Sequence, residues 1–431
     1  MDNSQITAPN RVAVRGGMIK ADNYYFRKNK MSQRGWNMKV IPRRGKHHCL
    51  AGLGILLITV ALIAGMMGCE TTPDYLEIRN WYDLYAIGGN LGGHHLLMND
   101  LNPATDGYGE VASETANQGK GWQPIGTSDD PFTGSFDGQG YEISDIFINR
   151  PDESLVGLFG AVDVGGVIQN VKTVNATVTG EWAIGSLVGE NWGDVRNSYS
   201  GGAVSGADCV GGLVGGNVGG VSDSCSAANV TGHWDVGGLV GCSDSYGTVS
   251  NSYSVGNVTG EWAVGGLLGS NLGGVVAKSY STGGVTGDDY VGGLVGDNQG
   301  TVSNSYSIGS VTGEWYVGGL VGDNDSLGIV SNSYARGSVT GYSFVGGLVG
   351  SNWGAVSNSF WNIDTSGVNE SDGGTGKTTA AMQDIATFTN TATEGLDNPW
   401  DITAVAPGDT NSAFTWNIVT SQTHPFLSWQ V

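Results

Sequence analysis

Basic residues are scarce in this chain, and those present are unevenly placed. Of 19 Lys and Arg in 431 residues, 11 lie between Arg11 and Lys46, whereas residues 69–431 hold 8 against 38 Asp and Glu. A body carrying about −30 has no Lys/Arg cluster with which to displace phosphate counterions, so nucleic acid is excluded as a partner. The same charge keeps an extended surface protein in solution. Cysteine is nearly as rare. After Cys69 only Cys209, Cys225 and Cys242 remain, an odd number that supports no disulfide framework, and the fold is expected to hold without cross-links. Helix-compatible stretches are few as well, because 74 residues are Gly and each costs about 1 kcal/mol against Ala within a helix.

One long apolar run exists. Residues 49–68, CLAGLGILLITVALIAGMMG, contain no charge and follow Arg43, Arg44, Lys46, His47 and His48. Such a length can cross a hydrocarbon core of roughly 30 Å, and the flanking positive charge puts residues 1–48 in the cytoplasm and the remainder outside. The run ends at Cys69 and resembles a bacterial lipoprotein signal, in which a Cys preceded by a small residue becomes the lipidated terminus. Met66 and Met67 depart from that pattern, and the leader is long, with Met18, Met31 and Met38 as alternative starts. Two readings follow, a lipid attached at Cys69 or an uncleaved single-pass anchor at 49–69. Both make the membrane a partner and place the body extracytoplasmically, at the cell surface.

The body is repetitive. The phrase Val-Gly-Gly-Leu-Val-Gly or a close variant recurs around Leu187, Leu213, Leu239, Leu267, Leu294, Leu320 and Leu348, with a degenerate copy at Leu158. A second phrase, Val-Ser-Asn-Ser-Tyr, follows at 249–253, 302–306 and 330–334, and a third, Val-Thr-Gly or Val-Ser-Gly, closes the unit. Three β-rich runs separated by Gly, Asn and Ser read as three strands per unit. A single unit cannot bury its own apolar face, but stacked units can, each strand pairing in parallel with its copy about 4.8 Å away. The predicted fold is all-β, a right-handed parallel β-helix of about ten coils. Strict alternation within the second phrase predicts Val, Asn and Tyr inward and Ser outward. It also predicts two ladders. One is aromatic, through Tyr199, Tyr253, Tyr280, Tyr306, Tyr334 and Phe360, with Cys225 as a small core residue in the same column. The other is of amides, through Asn191, Asn217, Asn271, Asn298, Asn324 and Asn352. Asp223 and Lys278 fall at the inward Asn position and so mark a wet corner.

These units resemble the GLUG-motif repeats of bacterial and archaeal surface proteins, including adhesin-like and filamentous-haemagglutinin-like chains. The resemblance extends to a lead-in, WYDLYAIGGNLGGHHLLMNDLN (81–102), GWQPIG (121–126) and PFTGSFDGQGYEI (131–143). It extends also to a close, NSFWNIDTSG (358–367), GGTGKTTAAMQDIATF (373–388) and PFLSW (425–429). It implies surface display and, often, adhesion. The resulting organisation is a basic leader (1–48), a targeting segment (49–69), an N-terminal cap with the first coils (76–150), the repeat body (151–362) and a C-terminal cap (363–431). The N-terminal cap is expected as a short helix over Leu76–Ile87. At the other end, residues 378–388 and the stretches around Trp400, Trp416 and Trp429 are expected to close the stack.

Candidate chemistry is sparse. Gly373–Thr379 resembles a phosphate loop, but Ser371 stands where the pattern needs Gly and no apolar strand precedes it, so it reads as a polar loop and nucleotide is not a partner. No His-Glu-x-x-His zinc motif occurs, and His94–His95 reads as a surface turn; no metal or cofactor is assigned. Acids recur beside tryptophans, as Glu181, Glu261, Asp288 and Glu314 against Trp182, Trp234, Trp262 and Trp315, with Asp297 and Asp323 after the Gly-Leu-Val-Gly turns. Such a stripe suits stacking on sugar rings or recruiting Ca²⁺, although the calcium-binding nonapeptide is absent. The structural alternative has Trp joining coils and the acids solvated. A lyase needs bases to hold uronates, and a hydrolase needs carboxylates unique to one coil. The expectation is therefore a spacer or adhesin-like binding module for glycan or a surface protein, and not an enzyme. A polysaccharide lyase or hydrolase on the same scaffold is the alternative.

Overall fold

Five short strands form each regular coil between Asp208 and Thr340. A computed structural model describes residues 75–430, and one full turn within it runs through Trp234–Gly237, Val240–Asp244, Thr248–Ser250, Tyr253–Ser254 and Val258–Thr259. The first two phrases of the repeat each bend in the middle, which is why five strands appear where three were expected. Every strand pairs in parallel and in register with its copy one coil on, as in Trp234↔Trp262, Val240↔Leu268, Val249↔Val276, Tyr253↔Tyr280 and Val258↔Val285. The result is a parallel β-solenoid with sheets of 11, 8, 16 and 7 strands. About eight turns are complete, fewer than the ten expected. The eleven-stranded sheet reaches that number only because Tyr75–Ile78, His94–Leu97 and Ser135–Asp137 stack ahead of the regular coils.

The two bends have different causes. At Gly237–Gly238 an added Cβ on Gly237 would lie 1.9 Å from the Val240 carbonyl oxygen and 2.7 Å from the Gly269 nitrogen. These glycines serve close backbone approach between coils. Left-handed backbone occurs instead at the other bend, where Asn251 has φ 49° and its counterparts Asn197, Asp223, Lys278, Asn304, Asn332 and Asn358 lie between 46° and 51°. Asn tolerates that region better than most residues.

A left-handed residue inside a strand reverses the alternation. Val249 and Ser252 both point inward and are fully buried, while Asn251 turns outward and Tyr253 is half-buried. The expected inward Val-Asn-Tyr face is thus corrected, and Asp223 and Lys278 cease to be anomalies, since both are exposed at this corner. The buried serines repair the ladder that the bend interrupts. Ser252 Oγ donates to the Ser250 carbonyl (2.7 Å) and accepts from Ser224 N–H (3.2 Å), while Ser252 N–H donates to Ser279 Oγ (3.2 Å). The same pattern runs from Ser198 to Ser359.

The amide ladder is present as expected. Asn191 Nδ2 donates to Asn217 Oδ1 (2.9 Å), and Asn271 to Asn298, Asn298 to Asn324 and Asn324 to Asn352 at 2.7–2.8 Å. It is interrupted at Ser243, which receives a long bond from Asn217 (3.4 Å) and leaves the buried Asn271 Oδ1 without a donor. Ser243→Asn is expected to restore the missing rung and raise stability by about 1 kcal/mol, read as a shift in the denaturant midpoint at constant slope; an unchanged midpoint would refute it.

At the N-terminal end the expected helix begins later. Tyr75–Ile78 is a strand, paired in parallel with His94–Leu97, and the helix spans Trp81–Ala86. Asn80 caps it by accepting from Asp83 N–H (2.9 Å), which a helix starting at Leu76 would preclude. Trp81, Leu84 and Ile87 are buried over the first coils. His94–His95 is strand, not turn. His95 is buried, bonded through Nε2 to the Asn90 carbonyl (3.1 Å), and burial lowers its pKa.

At the C-terminal end a short segment closes part of the stack. Leu348 and Val349 N–H donate to Ser371 Oγ (3.0 and 2.9 Å), Asn352 N–H to Asp372 Oδ2 (2.8 Å), and Thr375–Lys377 pairs in parallel with Phe360–Asn362. The Gly-Thr-Gly-Lys stretch is therefore committed to strand pairing, not to a polar loop.

Candidate functional site

The aromatic ladder forms with near-parallel rings. Tyr253, Tyr280, Tyr306 and Tyr334 stack at centroid separations of 4.9–5.0 Å and interplanar angles of 1–3°. It lies on the outside of the solenoid, and the residues expected to cap the end cover it instead. Helices Thr379–Met382 and Ala386–Thr389 and a small sheet of Ile402–Ala404, Trp416–Ile418 and Phe426–Leu427 form a strap along this flank. Trp416 contacts Tyr306 and Tyr334 (6.1 and 5.9 Å), and Trp429 stacks on Tyr280 and Tyr253 (5.7 and 6.1 Å). Indole N–H groups of Trp400, Trp416 and Trp429 donate to Asn358 O, Asn304 Oδ1 and Lys278 O, so the strap bonds to three of the left-handed corners. Tyr334 O–H donates to Pro425 O (2.7 Å). Burial holds the Tyr306 and Tyr334 phenols above their usual range. Cys225 pairs in register between Tyr199 and Tyr253, half-buried in this outer ladder and not in the core; burial raises its thiol pKa.

His424 gives the strap a pH dependence. Burial, and secondarily the nearby Arg336 charge, pull its pKa down to about 4 from 6.5. The folded state thus resists protonation that the unfolded chain accepts, so strap stability is full above about pH 6.5 and falls as the pH drops towards 4. Tryptophan emission is expected to red-shift over that window in the native chain and much less in His424→Gln; identical profiles would exclude this origin.

The Trp and acid stripe occupies the seven-stranded sheet, in the register Trp182↔Asp208↔Trp234↔Trp262↔Asp289↔Trp315↔Ser343. Trp234 stacks on Trp262 (5.8 Å, 12°), whereas Trp182 and Trp315 are separated from them by acids. Trp262 is buried at 3% exposure, and Trp182, Trp234 and Trp315 are half-buried. Stacked rings occupy one another's faces, so edges, not open faces, meet solvent along this pair. Glu181 and Glu314 are exposed, Glu261 and Asp288 half-buried. Their backbone carbonyls each accept two N–H groups from the next coil, as Glu261 does from Asp288 and Asp289 (3.1 and 2.9 Å). Ala207, His233 and Tyr342 take this place in the other coils, and His233 faces Glu261 Oε1 at 3.1 Å.

A second aromatic column escaped the sequence reading. The residue after the stripe position is left-handed in each coil, as Ala183, Cys209, Asp235, Ala263, Tyr290, Tyr316 and Phe344. Tyr290, Tyr316 and Phe344 stack there at 5.0 and 4.8 Å. Aligning the residue before each Val-Gly-Gly would have shown it. The same column contains Cys209, which forms a disulfide with Cys242 of the next coil. The expectation of no cross-link fails because an odd count leaves room for one pair plus free Cys225.

Asp208, Cys209 and Asp235 come together within 4.8 Å, but the Cys209 sulfur is bonded to Cys242 and Asp235 accepts from Ser270 Oγ. Cys69 and the apolar run at 49–68 lie outside the described residues. Among the described residues no helix is long and apolar enough to cross a membrane.

A solenoid of in-register coils with repeated surface columns defines the class of protein. Residues 232–259 and 313–340 match the family model described as the GLUG motif, and each match spans one coil from the glycine before the tryptophan corner to the closing Val-Thr. The chain thus contains GLUG repeats at these two coils. It is 36% identical over 149 residues to halomucin of Haloquadratum walsbyi, covering 34% of this chain and 2% of halomucin. It is 37% identical over 140 residues to a provisionally named Gly-rich membrane protein of Evansella cellulosilytica, covering 32% and 15% respectively. The chain thus spans a small fraction of either relative. A solved structure of a provisionally assigned immunoglobulin A1 protease from Bacteroides ovatus aligns over 72% of this chain and 85% of that one, with 18% identity and a TM-score of 0.44.

Proposed function

We propose that this chain is a cell-surface repeat protein, held at the membrane through Cys69 or the adjoining apolar segment, in which the solenoid serves as a spacer with an adhesin-like binding flank. The observation that carries this reading is the repetition of an outward acid-and-aromatic corner in register over successive coils. A property repeated coil after coil suits a multivalent surface contact, with extracellular glycan or a surface protein as partner, better than one reaction centre. The names of the relatives, halomucin and a Gly-rich membrane protein, support the location.

The test is binding of the purified body to immobilised glycans and to whole cells. Glu181→Gln, Glu261→Gln, Asp288→Gln and Glu314→Gln are combined stepwise, and loss of binding in proportion to the number of coils altered is the expected result. Abolition by one substitution would refute the multivalent reading. Palmitate labelling lost in Cys69→Ala would support the lipid anchor, and an unlabelled native chain would sink it. The enzymatic alternative, a polysaccharide lyase or hydrolase, has its best candidate in Glu190, whose carboxyl is held above the usual range by burial. Glycan cleavage lost in Glu190→Gln would favour it.

A further inference from the structure

The last coil differs from the two before it, which carry acids at Asp288, Asp297, Glu314, Asp323 and Asp325. Glu314, Asp323 and Asp325 of one coil are succeeded at the same rungs by Tyr342, Ser351 and Trp353, the register being fixed by Trp315↔Ser343, Asp323↔Ser351 and Asn324↔Asn352. The acids at these three rungs are replaced, two of them by aromatic residues. The aromatic residues are strongly exposed, Tyr342 at 81%, Phe344 at 54% and Trp353 at 77%. Three strongly exposed rings clustered on one coil of an acidic chain have the composition of a surface that becomes buried.

The strand beneath these rings is an open edge. Ser343–Gly346 is the terminal strand of the seven-stranded sheet. The closing segment covers the neighbouring sheets through Ser371, Asp372 and Thr375–Lys377 and leaves this strand unpaired on its outer side among the described residues. In the preceding coil Gly313 N–H donates to Thr340 O, and Glu314 O accepts from Tyr342 and Ser343 N–H; no backbone group of the described residues does the same for Gly341 N–H or Tyr342 O. Val345 is only partly buried, while its rung-mates Val264, Val291 and Val317 are fully buried. The stacked column Tyr290–Tyr316–Phe344 ends with the outer face of Phe344 open. Exposed Glu314, Glu370 and Asp372 rim the patch.

We propose that this edge accepts an extended segment of another polypeptide as an eighth strand, parallel to Ser343–Gly346. Its backbone would take up Gly341 N–H and Tyr342 O, an apolar residue would complete the cover of Val345, and a ring or flat side chain would continue the column on Phe344. The acid rim selects a segment with basic flanks and no acid over Tyr342 and Ser351.

The probe is a fluorescent peptide copying residues 339–350 with lysines added at both ends, titrated with the chain and read by anisotropy. Tyr342→Glu combined with Ser351→Asp reinstates the acids that the preceding coil carries at those rungs, so folding is preserved while the edge regains charge. Saturable binding is expected, weakened at least about tenfold in the double variant, equivalent to about 1.4 kcal/mol. It should also be lost when the peptide is N-methylated at alternate amides. Absence of binding, or equal binding of a scrambled or N-methylated peptide, would overturn the proposal. Light scattering showing a native dimer that the double variant dissolves would assign the edge to a second copy instead. Binding of a neutral oligosaccharide that displaces the peptide would assign it to glycan.

Discussion

Gly237→Ala is expected to destabilise the solenoid by about 4 kcal/mol or more, at the upper end of what a single methyl can do. The added Cβ would sit 1.9 Å from Val240 O and 2.7 Å from Gly269 N, both backbone atoms. A flexible side chain could swing away, but here relief requires reshaping the bend to Val240 within the coil and opening the spacing to Gly269 of the next one. That spacing is fixed by the parallel ladders on either side, Val236↔Val264 and Val240↔Leu268. The cost therefore falls on several inter-coil hydrogen bonds together. Alanine at Gly284 serves as the control, since its nearest atoms lie 3.3 Å away or more and are side-chain tips. Thermal and denaturant unfolding of the two variants should separate them clearly; equal midpoints would show that the Gly-Gly corner has slack absent from this geometry.

Trp416→Ala is expected to cost about 3–5 kcal/mol, the range for removing a large buried aromatic. Trp416 is fully buried between the strap and the ladder, touching Trp400 (5.0 Å), Tyr306 and Tyr334 and donating to Asn304 Oδ1 (3.3 Å). The loss should fall on the strap's docking and not on the coils, because the core valines and leucines belong to a separate cluster. Two consequences distinguish this from general unfolding. Limited proteolysis should cut within residues 390–430 while the β-sheet circular dichroism persists, and the Tyr306 and Tyr334 phenols should titrate nearer their ordinary range. Simultaneous loss of all signals would mean that strap and coils unfold as one unit.

The sequence made the coil legible because stacking demands that like residues recur, and the recurring Leu, Val, Asn and Tyr columns are that demand written out. Where it misled, a local backbone conformation intervened. Alternation assigned Ser252 outward because period-two reasoning has no place for Asn251 at positive φ. The strap was taken as an end cap because Trp400, Trp416 and Trp429 have no repeat partner, and nothing in their spacing says which surface they meet. The stripe was half legible. Glu181, Glu261, Asp288 and Glu314 are found where their spacing put them, but burial of Trp262 and the adjoining Tyr290–Tyr316–Phe344 column depend on a left-handed residue that composition does not reveal.

The disulfide adjoins a seam at which two side-chain ladders are interrupted. Cys242 neighbours Ser243, where the amide ladder fails, and Cys209 belongs to the coil in which Cys225 interrupts the tyrosines. In a one-dimensional array, stability is a sum of unit terms and nearest-neighbour couplings, and a poor coupling divides the array into blocks that melt separately. A covalent link across that junction fuses the blocks. The oxidised chain should melt in one calorimetric transition and the reduced chain in two, so the redox state of the surroundings sets whether this molecule responds to force or heat as one body or as a pair in series.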